Sequence, residues 1–251
     1  MAPRRPALPI EAADWLTSER PLRVLLIGAR GPYAAMLSDA GNAVVVVDKD
    51  EAALARLVAR RPDVGGVVGQ AEGLPFQPLS FDRIVCAQNL HSLAPGLALA
   101  EFARVLAIGG ALGVLYLSRD DSVPWVRRLA ATVRNTLPDA MRGAYGEESV
   151  DQLHQSSYFP RVEQQTYRMW VESDRPALVG MALAAPGAAR LGPEARTGLA
   201  EAVGAVYDAA ARAPEPLLLP YKLSCWRAWV DHTEMTAGIP LPPDPALHIT
   251  L

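Results

Sequence analysis

The chain of 251 residues has a near-average composition for a soluble globular protein, with 50% hydrophobic and 20% charged residues. These proportions argue against an intrinsically disordered or fibrous protein. The net charge is −3 and the arginines are scattered, so the sequence lacks the basic surface that nucleic-acid backbones attract. We therefore expect no nucleic-acid partner.

Membrane insertion and a cysteine framework are also not expected. No stretch approaches the roughly 20 apolar residues that a membrane-spanning helix needs, and the first ten residues contain no apolar signal-peptide core. Cys86 and Cys225 stand far apart and match no zinc or redox spacing. We predict a cytoplasmic protein with no membrane association and no metal site.

The first half of the chain alternates short apolar runs with helical segments. A helix is expected over residues 10–20, at the edge of the domain. Strands are then predicted at 24–27, 43–47, 66–68, 84–87 and 111–117, and helices at 33–40, 52–60 and 97–106. This alternation is typical of a parallel sheet that is covered on both faces. Because the connections in such sheets are nearly always right-handed, it predicts a doubly wound, Rossmann-like α/β fold.

The second half is less regular. Helices are predicted at 124–137, 149–156 and 193–212, and strands at 162–170 and 221–230. Residues 171–215 are interpreted as a helical insert over the carboxyl edge of the sheet. The expected organisation is an N-terminal extension with a helix (1–21), one main domain (22–235) and a proline-rich tail (236–251).

Two features of the first two strands indicate an adenosine-type ligand. The first strand runs into a turn with Gly28 and Gly31 that opens a helix, where backbone N–H groups can approach a ligand. Asp48 follows at the tip of the second strand, where its carboxylate can accept hydrogen bonds from both hydroxyls of a ribose. Each feature alone also fits a structural role, as a tight turn or a strand cap. Together they favour a nucleoside site.

Four further segments occur in a fixed order. They are GQAEGLPF at 69–76, SFDRIV at 80–85, NLHSL at 89–93 and EFARVLAIGG at 101–110. This order resembles the methyltransferase type 11 group of class I S-adenosylmethionine-dependent methyltransferases, whose patterns are G-D-A-E-x-L-P-F, F-D, L-H-H-L and E-x-x-R-V-L-K-P-G-G. An alanine-rich insert and a Leu-Pro-Tyr strand at 219–221 extend the resemblance to roughly residues 22–231.

The resemblance implies a sheet of about seven strands, mostly parallel with an antiparallel last strand, and helices on both faces. It also implies S-adenosylmethionine bound at the carboxyl ends of the first strands. Asp48 would hold the ribose, Ala71 and Glu72 would lie beside the adenine, and residues 87–89 would lie near the methionine moiety. The cofactor-binding residues implied in this way are Gly28, Ala29, Arg30, Gly31, Asp48, Lys49, Ala71, Glu72, Ala87, Gln88 and Asn89.

Three of the departures from the family pattern concern the cofactor site. Leu26 stands where the family has an acidic residue that orients the methionine ammonium, and Arg30 replaces the second glycine of the first loop. A permanently charged guanidinium at that position opposes the binding of a sulfonium cation unless it turns away. Gln70 replaces an aspartate that contacts the adenine amino group, which is a milder change because an amide oxygen still accepts hydrogen bonds. The first cofactor motif is therefore degenerate.

These motifs assign no catalytic residue. His91 matches the first histidine of the L-H-H-L pattern and is a weak candidate for acid–base chemistry, with a buried structural histidine as the alternative. Glu101 and Arg104 lie three residues apart on one predicted helix and are expected to pair in a structural role.

The predicted function is methyl transfer from S-adenosylmethionine to an unidentified small-molecule acceptor. Such chemistry asks the protein mainly for alignment and a dry pocket. A catalytically inactive homologue that acts as a binding or regulatory subunit is the alternative that Leu26 and Arg30 favour. A nicotinamide-dependent Rossmann enzyme is a second alternative, although the chain lacks a G-x-G-x-x-G motif and a Tyr-x-x-x-Lys pair. A homodimer is compatible with all three.

Overall fold

A seven-stranded sheet organises the part of the chain that the computed structural model describes, residues 7–17, 21–141, 148–211 and 216–233. Its strands are β1 (Arg23–Ile27), β2 (Ala43–Asp48), β3 (Gly65–Val68), β4 (Phe81–Ala87), β5 (Leu106–Arg119), β6 (Arg161–Ser173) and β7 (Leu217–Trp229). The order across the sheet is β3-β2-β1-β4-β5-β7-β6, and β7 runs antiparallel to both of its neighbours. The predicted Rossmann-like fold with an antiparallel last strand is confirmed.

Helices cover both faces of the sheet. They are α1 (Ile10–Thr17), α2 (Gly31–Asp39), α3 (Glu51–Arg60), α4 (Pro95–Val105), α5 (Pro124–Thr136), α6 (Ser149–His154), α7 (Arg175–Leu183) and α8 (Pro193–Ala210). None of these helices combines the length and the hydropathy that a bilayer crossing requires.

Strand β1 lies at the centre of the sheet and contributes to both halves of the core. Val24 and Leu26 pack on the side of α1, α2 and α3, whereas Leu25 and Ile27 pack on the side of α4 and α6. This strand is apolar on both faces because a central parallel strand is covered by helices on both sides. This burial agrees with the prediction of a parallel sheet that is covered on both faces.

Side-chain caps fix the starts of two helices. Asp50 accepts a hydrogen bond from the Ala53 N–H at 2.9 Å and begins α3 directly after β2. Asp174 does the same for α7 through the Ala177 N–H at 2.7 Å. Both carboxylates satisfy backbone donors that the first helical turn leaves without a partner.

The predicted insert forms a third apolar cluster with α5. Helices α7 and α8 pack on α5 and on the first residues of β7, around Leu129, Leu178 and Val203. Residues 171–173 pair with β7 and continue β6, so the helical part begins at Arg175 and not at residue 171. The insert lies at the carboxyl edge of the parallel strands, because β6 ends there and β7 begins there. The division into extension, domain and tail stays a prediction, since residues 1–6, 18–20 and 234–251 lie outside the described ranges.

Strand β5 is longer than the predicted segment 111–117. Its pairing with β4 shifts register between Phe81 and Arg83, so the glycine pair at 109–110 lies within the strand and not before it. Gly109 has φ of +73°, a left-handed conformation that favours glycine. The glycines thus lie in a bulge within β5 and do not precede the strand.

Substitution at Gly110 tests this bulge. An added Cβ would lie 2.7 Å from the Ala107 carbonyl oxygen and 3.2 Å from that of Asp82, and neither backbone atom can move independently. Gly110→Ala should therefore lower the free energy of unfolding by about 1–3 kcal/mol. Gly198→Ala is the control, because an exposed Cβ on α8 would meet no atom within 4 Å and should stabilise by about 0.5–1 kcal/mol. Denaturant unfolding midpoints that move in the same direction for both variants would contradict this account.

Candidate functional site

A cavity of about 600 Å³ opens at the carboxyl ends of β1, β2 and β4. Here the strand order reverses, because β2 and β3 lie on one side of β1 and β4 and β5 on the other. Ligands of doubly wound sheets bind at such switch points, and the volume lies within the range of small-molecule sites. The lining residues are Ile27, Gly28, Ala29, Arg30, Val47, Asp48, Lys49, Gly69, Gln70, Ala71, Glu72, Asn89, Ser92 and Leu93.

The Asp48 carboxylate ties the tip of β2 to the turn after β1. One oxygen accepts the Ala29 N–H at 2.6 Å and the other accepts the Asp50 N–H at 2.8 Å. The Gly28 N–H donates to the Val47 carbonyl oxygen at 2.7 Å, so the two strand ends are joined twice. Each carboxylate oxygen can accept a further hydrogen bond, and the side chain is partly exposed. Asp48 can thus hold the turn and still contact a ligand.

Gly28 cannot be replaced without strain. Its φ is +90°, and an added Cβ would lie 3.1 Å from the Asn89 Nδ2 and 3.9 Å from an Asp48 oxygen. The Asn89 Nδ2 donates to the Ile27 carbonyl oxygen at 2.7 Å, which holds the amide against the turn. The Asn89 Oδ1 is buried and has no hydrogen-bond partner. A buried acceptor left in this state costs about 1–3 kcal/mol, which a ligand donor would recover.

The loop after β3 is fastened to α4. Glu72 accepts the Ala94 N–H at 3.0 Å, and Glu101 accepts the Leu74 N–H at 2.8 Å. Arg104 pairs with Glu101 at 2.8 Å and also donates to the Leu74 carbonyl oxygen at 2.9 Å. The Arg104 guanidinium lowers the pKa of the Glu101 carboxyl group, and the hydrogen bond from the Leu74 N–H lowers it further. The Glu101–Arg104 pair therefore positions this wall of the cavity and does not enter it.

Three of the predicted cofactor residues do not line the cavity. Gly31 borders a neighbouring depression between α2 and α3. Ala87 is fully buried in the core on the α2 side of β4. Gln88 has φ of +62° and directs its amide away, donating to the Tyr33 hydroxyl and the Leu117 carbonyl oxygen at 3.1 Å each. Of the predicted residues 87–89, only Asn89 thus lines the cavity. The alternation of side chains along β4 directs Ala87 into the core.

Six lining residues were missing from the predicted set, namely Ile27, Val47, Gly69, Gln70, Ser92 and Leu93. Ile27 and Val47 are the last apolar residues of β1 and β2 before the turns that carry Gly28 and Asp48. Gln70 and Ser92 belong to the segments that carried the resemblance, so their positions could have been included. Gly69 and Leu93 belong to the same segments and could have been included as well.

The two main departures from the family pattern lie in different environments. Leu26 is fully buried in the core on the α2 side and does not line the cavity. Arg30 precedes α2, lines the cavity and is exposed. It forms no ion pair within the described ranges, so neither Asp48 nor Asp50 neutralises it. The replacement of glycine by arginine, and not the leucine, changes the charge of the cavity.

His91 is exposed and lies next to the cavity without lining it. Its Nδ1 is 3.2 Å from the Tyr116 hydroxyl, which also accepts the His91 backbone N–H at 3.1 Å. The alternative of a buried histidine is therefore wrong. Partial desolvation and, to a lesser extent, the Arg30 cation lower the pKa of His91 below its usual 6.5. The imidazole is neutral at pH 7, as a general base requires.

Metal or thiol chemistry has no visible basis in this region. No group of three or more His, Cys, Asp or Glu side chains in the described ranges is arranged to hold a metal ion. Cys86 and Cys225 are both buried, and burial raises the pKa of each thiol well above its usual value. Neither thiol has the exposure or thiolate character of a reactive cysteine.

The influence of Arg30 on His91 is directly testable without a ligand. Arg30→Ala removes the nearby cation, so the pKa of His91 should rise, while the desolvation keeps it below 6.5. The measurement is an NMR titration of the imidazole signals, assigned among the four histidines by His91→Gln. Arg30→Lys retains the charge and should leave the pKa close to that of the parent. An identical pKa in the parent and Arg30→Ala would mean that the arginine points away.

Comparison with known proteins agrees with this geometry. Residues 25–114 match a family model described as a methyltransferase domain. An uncharacterised methyltransferase of Mycobacterium tuberculosis is 38% identical over 130 residues, which are 51% of this chain and 54% of that protein. A demethylmenaquinone methyltransferase of Beutenbergia cavernae is 38% identical over 105 residues, 41% of this chain and 42% of that protein. The chain spans about half the length of the curated relatives it matches.

A solved structure extends the similarity of fold to most of the chain. A candidate type II methyltransferase from Anaeromyxobacter dehalogenans superposes with a TM-score of 0.63 at 22% identity, covering 90% of this chain and 98% of that one. The matched domain, the relatives and the sheet topology agree with one another. Residues 25–114 thus match a methyltransferase domain, and the sheet has the topology of a Rossmann-like methyltransferase fold.

Proposed function

We propose that this chain binds S-adenosylmethionine in the cavity at the carboxyl ends of β1, β2 and β4 and transfers its methyl group to a small-molecule acceptor. The single observation that carries the proposal is the position of the Asp48 carboxylate, 2.6 Å from the Ala29 N–H at the switch point of the sheet. A carboxylate at this place can accept hydrogen bonds from both ribose hydroxyls while the turn approaches the rest of the ligand.

Three observations fit an adenosyl ligand. The cavity of about 600 Å³ is large enough for it. Gly28 leaves open the space that a Cβ would fill beside Asn89 and Asp48. The Asn89 Oδ1 is a buried acceptor without a protein partner. An elongated ligand with hydroxyl and ammonium donors would satisfy both the carboxylate and this amide oxygen.

Each wall of the cavity then has a role. Asp48 would bind the ribose, and Gln70 and Ala71 would lie along the adenine, with Ile27 and Val47 as apolar walls. The Asn89 Oδ1 would accept from the ammonium of the methionine moiety, a role for which the family uses the acidic residue that Leu26 replaces. Leu26 lies in the core and cannot contact the ligand. The Asn89 amide would therefore replace the missing acidic side chain as the acceptor for the ammonium.

The reaction asks little covalent chemistry of the protein. Bound S-adenosylmethionine supplies a methyl group already activated by its sulfonium, so the protein contributes alignment and exclusion of water. His91 is neutral at pH 7 because its pKa is lowered, and it is the nearest candidate to accept a proton from an acceptor hydroxyl or amine. Arg30 raises the positive potential at the same edge.

The activity can be tested with the whole chain and methyl-labelled S-adenosylmethionine. A panel of small phenols, quinols, amines and carboxylic acids is incubated with the protein, and the formation of S-adenosylhomocysteine and of labelled product is measured. Quinols are included because one relative is a demethylmenaquinone methyltransferase. Labelled product that depends on Asp48 supports the proposal, whereas failure of S-adenosylhomocysteine to bind at all would overturn it.

The ribose contact is tested with Asp48→Asn. The substitution removes the charge and turns one acceptor oxygen into a donor, which cannot serve both backbone N–H groups and a ribose. The dissociation constant for S-adenosylhomocysteine should rise about 10- to 100-fold, since hydrogen bonds to charged groups contribute roughly 1.5–3 kcal/mol. Asp50→Asn is the matched control, because asparagine caps a helix as well as aspartate and residue 50 does not line the cavity. Equal affinity of parent and Asp48→Asn in calorimetric titration would reduce Asp48 to a strand cap.

One observation favours the second candidate function, an inactive homologue, and that is the unpaired Arg30 in the cavity wall. Its cation should weaken binding of S-adenosylmethionine, which carries a positive sulfur, relative to S-adenosylhomocysteine, which does not. Arg30→Ala should strengthen the binding of S-adenosylmethionine relative to S-adenosylhomocysteine by roughly two- to fivefold at low salt. This is the range measured for interactions between exposed charges. Arg30→Lys should keep the parental ratio. If the ratio stays the same in Arg30→Ala, electrostatic exclusion is not the reason for the altered loop.

A further inference from the structure

A second arginine lies at the same edge of the sheet without a carboxylate partner. Arg119 is at the carboxyl end of β5, directly across from Tyr221 on β7. Its Nε is buried and has no hydrogen-bond partner. Within the described ranges the salt bridges do not include Arg119. Burial lowers the pKa of Arg119, and the neighbouring Tyr221 phenol only partly opposes that shift. A guanidinium nevertheless stays charged in proteins.

Polar side chains of β7 and of the turn after β4 lie at the same sheet edge as Arg119. Gln88 donates to the Leu117 carbonyl oxygen, two residues before Arg119, and to the Tyr33 hydroxyl at the start of α2. The Tyr221 hydroxyl lies 4.0 Å from the sulfur of Met181 on α7. Gln88 adopts φ of +62°, a costly conformation for a residue other than glycine. A strained backbone at Gln88 and an arginine without a carboxylate partner thus occur together where β4, β5 and β7 meet the helical insert.

The acidic side chain that follows Arg119 is used elsewhere. Asp120 accepts hydrogen bonds from the Ser122 hydroxyl at 2.6 Å and its N–H at 3.2 Å, and it lies 3.4 Å from Arg168. Arg227 shows what a structural arginine looks like in this protein. Its Nε is also without a partner, but its guanidinium is paired with Glu163 at 3.2 Å and stacked on two tryptophan rings. Arg119 has no comparable carboxylate, and the neighbouring Tyr221 phenol only partly offsets the cost of its burial.

We propose that Arg119 and Tyr221 form the acceptor subsite of the enzyme and bind a carboxylate group of the methyl acceptor. This inference rests on the proposed function, because it places the acceptor beside the cofactor cavity at the same sheet edge. A guanidinium offers paired donors that match a planar carboxylate, and the Tyr221 hydroxyl adds a further donor. Removing an isolated charge from water is costly, and an anionic ligand recovers that cost.

The experiment uses benzoate as the probe, with benzamide as its neutral counterpart and inorganic phosphate as a second anion. Dissociation constants and thermal unfolding midpoints are measured for the whole chain saturated with S-adenosylhomocysteine. The variants are Arg119→Met, Arg119→Lys and Tyr221→Phe. Arg128→Met is the matched control, since it removes an exposed arginine on α5 that the described structure gives no ion pair.

Benzoate should raise the unfolding midpoint of the parent and of Arg128→Met, whereas benzamide should not. Arg119→Met should bind benzoate at least about tenfold more weakly, and Arg119→Lys should recover only part of the affinity because an ammonium lacks the paired donors. Without benzoate, Arg119→Met should unfold at the same or a higher temperature than the parent, since it removes an uncompensated charge. If Arg119 had a structural role instead, Arg119→Met would unfold at a lower temperature than the parent.

The inference is overturned if Arg119→Met binds benzoate as the parent does, if benzamide binds equally well, or if only phosphate binds. Titration with S-adenosylhomocysteine alone separates this failure from that of the proposed function. Normal S-adenosylhomocysteine binding with no Arg119-dependent benzoate binding rejects the acceptor subsite and leaves the cofactor site intact. Loss of S-adenosylhomocysteine binding in the parent rejects the proposed function, and the acceptor subsite with it.

Discussion

The contact between the Asp48 carboxylate and the Ala29 N–H is the constraint on which the site depends. It joins the ends of β1 and β2, whose side-by-side pairing brings the glycine turn and the acidic tip to one place. The contact requires glycine at position 28, because the φ of +90° is strained for other residues and a Cβ there would lie 3.1 Å from the Asn89 Nδ2. The same carboxylate orders the next turn through the Asp50 N–H, so the shape of the cavity and the start of α3 are coupled. The Asp48 carboxylate, which is suited to a ribose, therefore also stabilises the local structure.

The fold was predictable from the sequence because its signals are local and repeated. The apolar runs of β1 and β2, each followed by a helical segment, indicate buried parallel strands, and the structure confirms them. Asp48 and Gly28 were predictable as neighbours because parallel strand ends meet at one edge of the sheet. The order and direction of the last strands were available through the family resemblance only. The alternation of apolar and polar residues in β6 and β7 indicates strands, but it does not show which strands they pair with.

Other parts of the site depend on information that the sequence pattern does not contain. Ala87 and Gln88 are adjacent to Asn89, yet alternation and a positive φ at residue 88 direct them away from the cavity. The environment of Leu26 depends on which face of β1 it occupies, and the family position alone suggested a ligand role. Arg119 belongs to none of the sequence motifs. Its interest arises from burial and from the lack of a carboxylate, which only the tertiary structure reveals.

The docking of α1 has a consequence for how the protein is made. The carbonyl oxygen of Trp15 accepts a hydrogen bond from Arg227 on β7, and that guanidinium lies 4.6 Å above the Trp15 ring. The carbonyl oxygen of Leu16 is held by Arg83 at 3.1 Å. One of the partners that hold α1 thus lies 212 positions later in the chain, so this helix can complete its contacts only after β7 has formed.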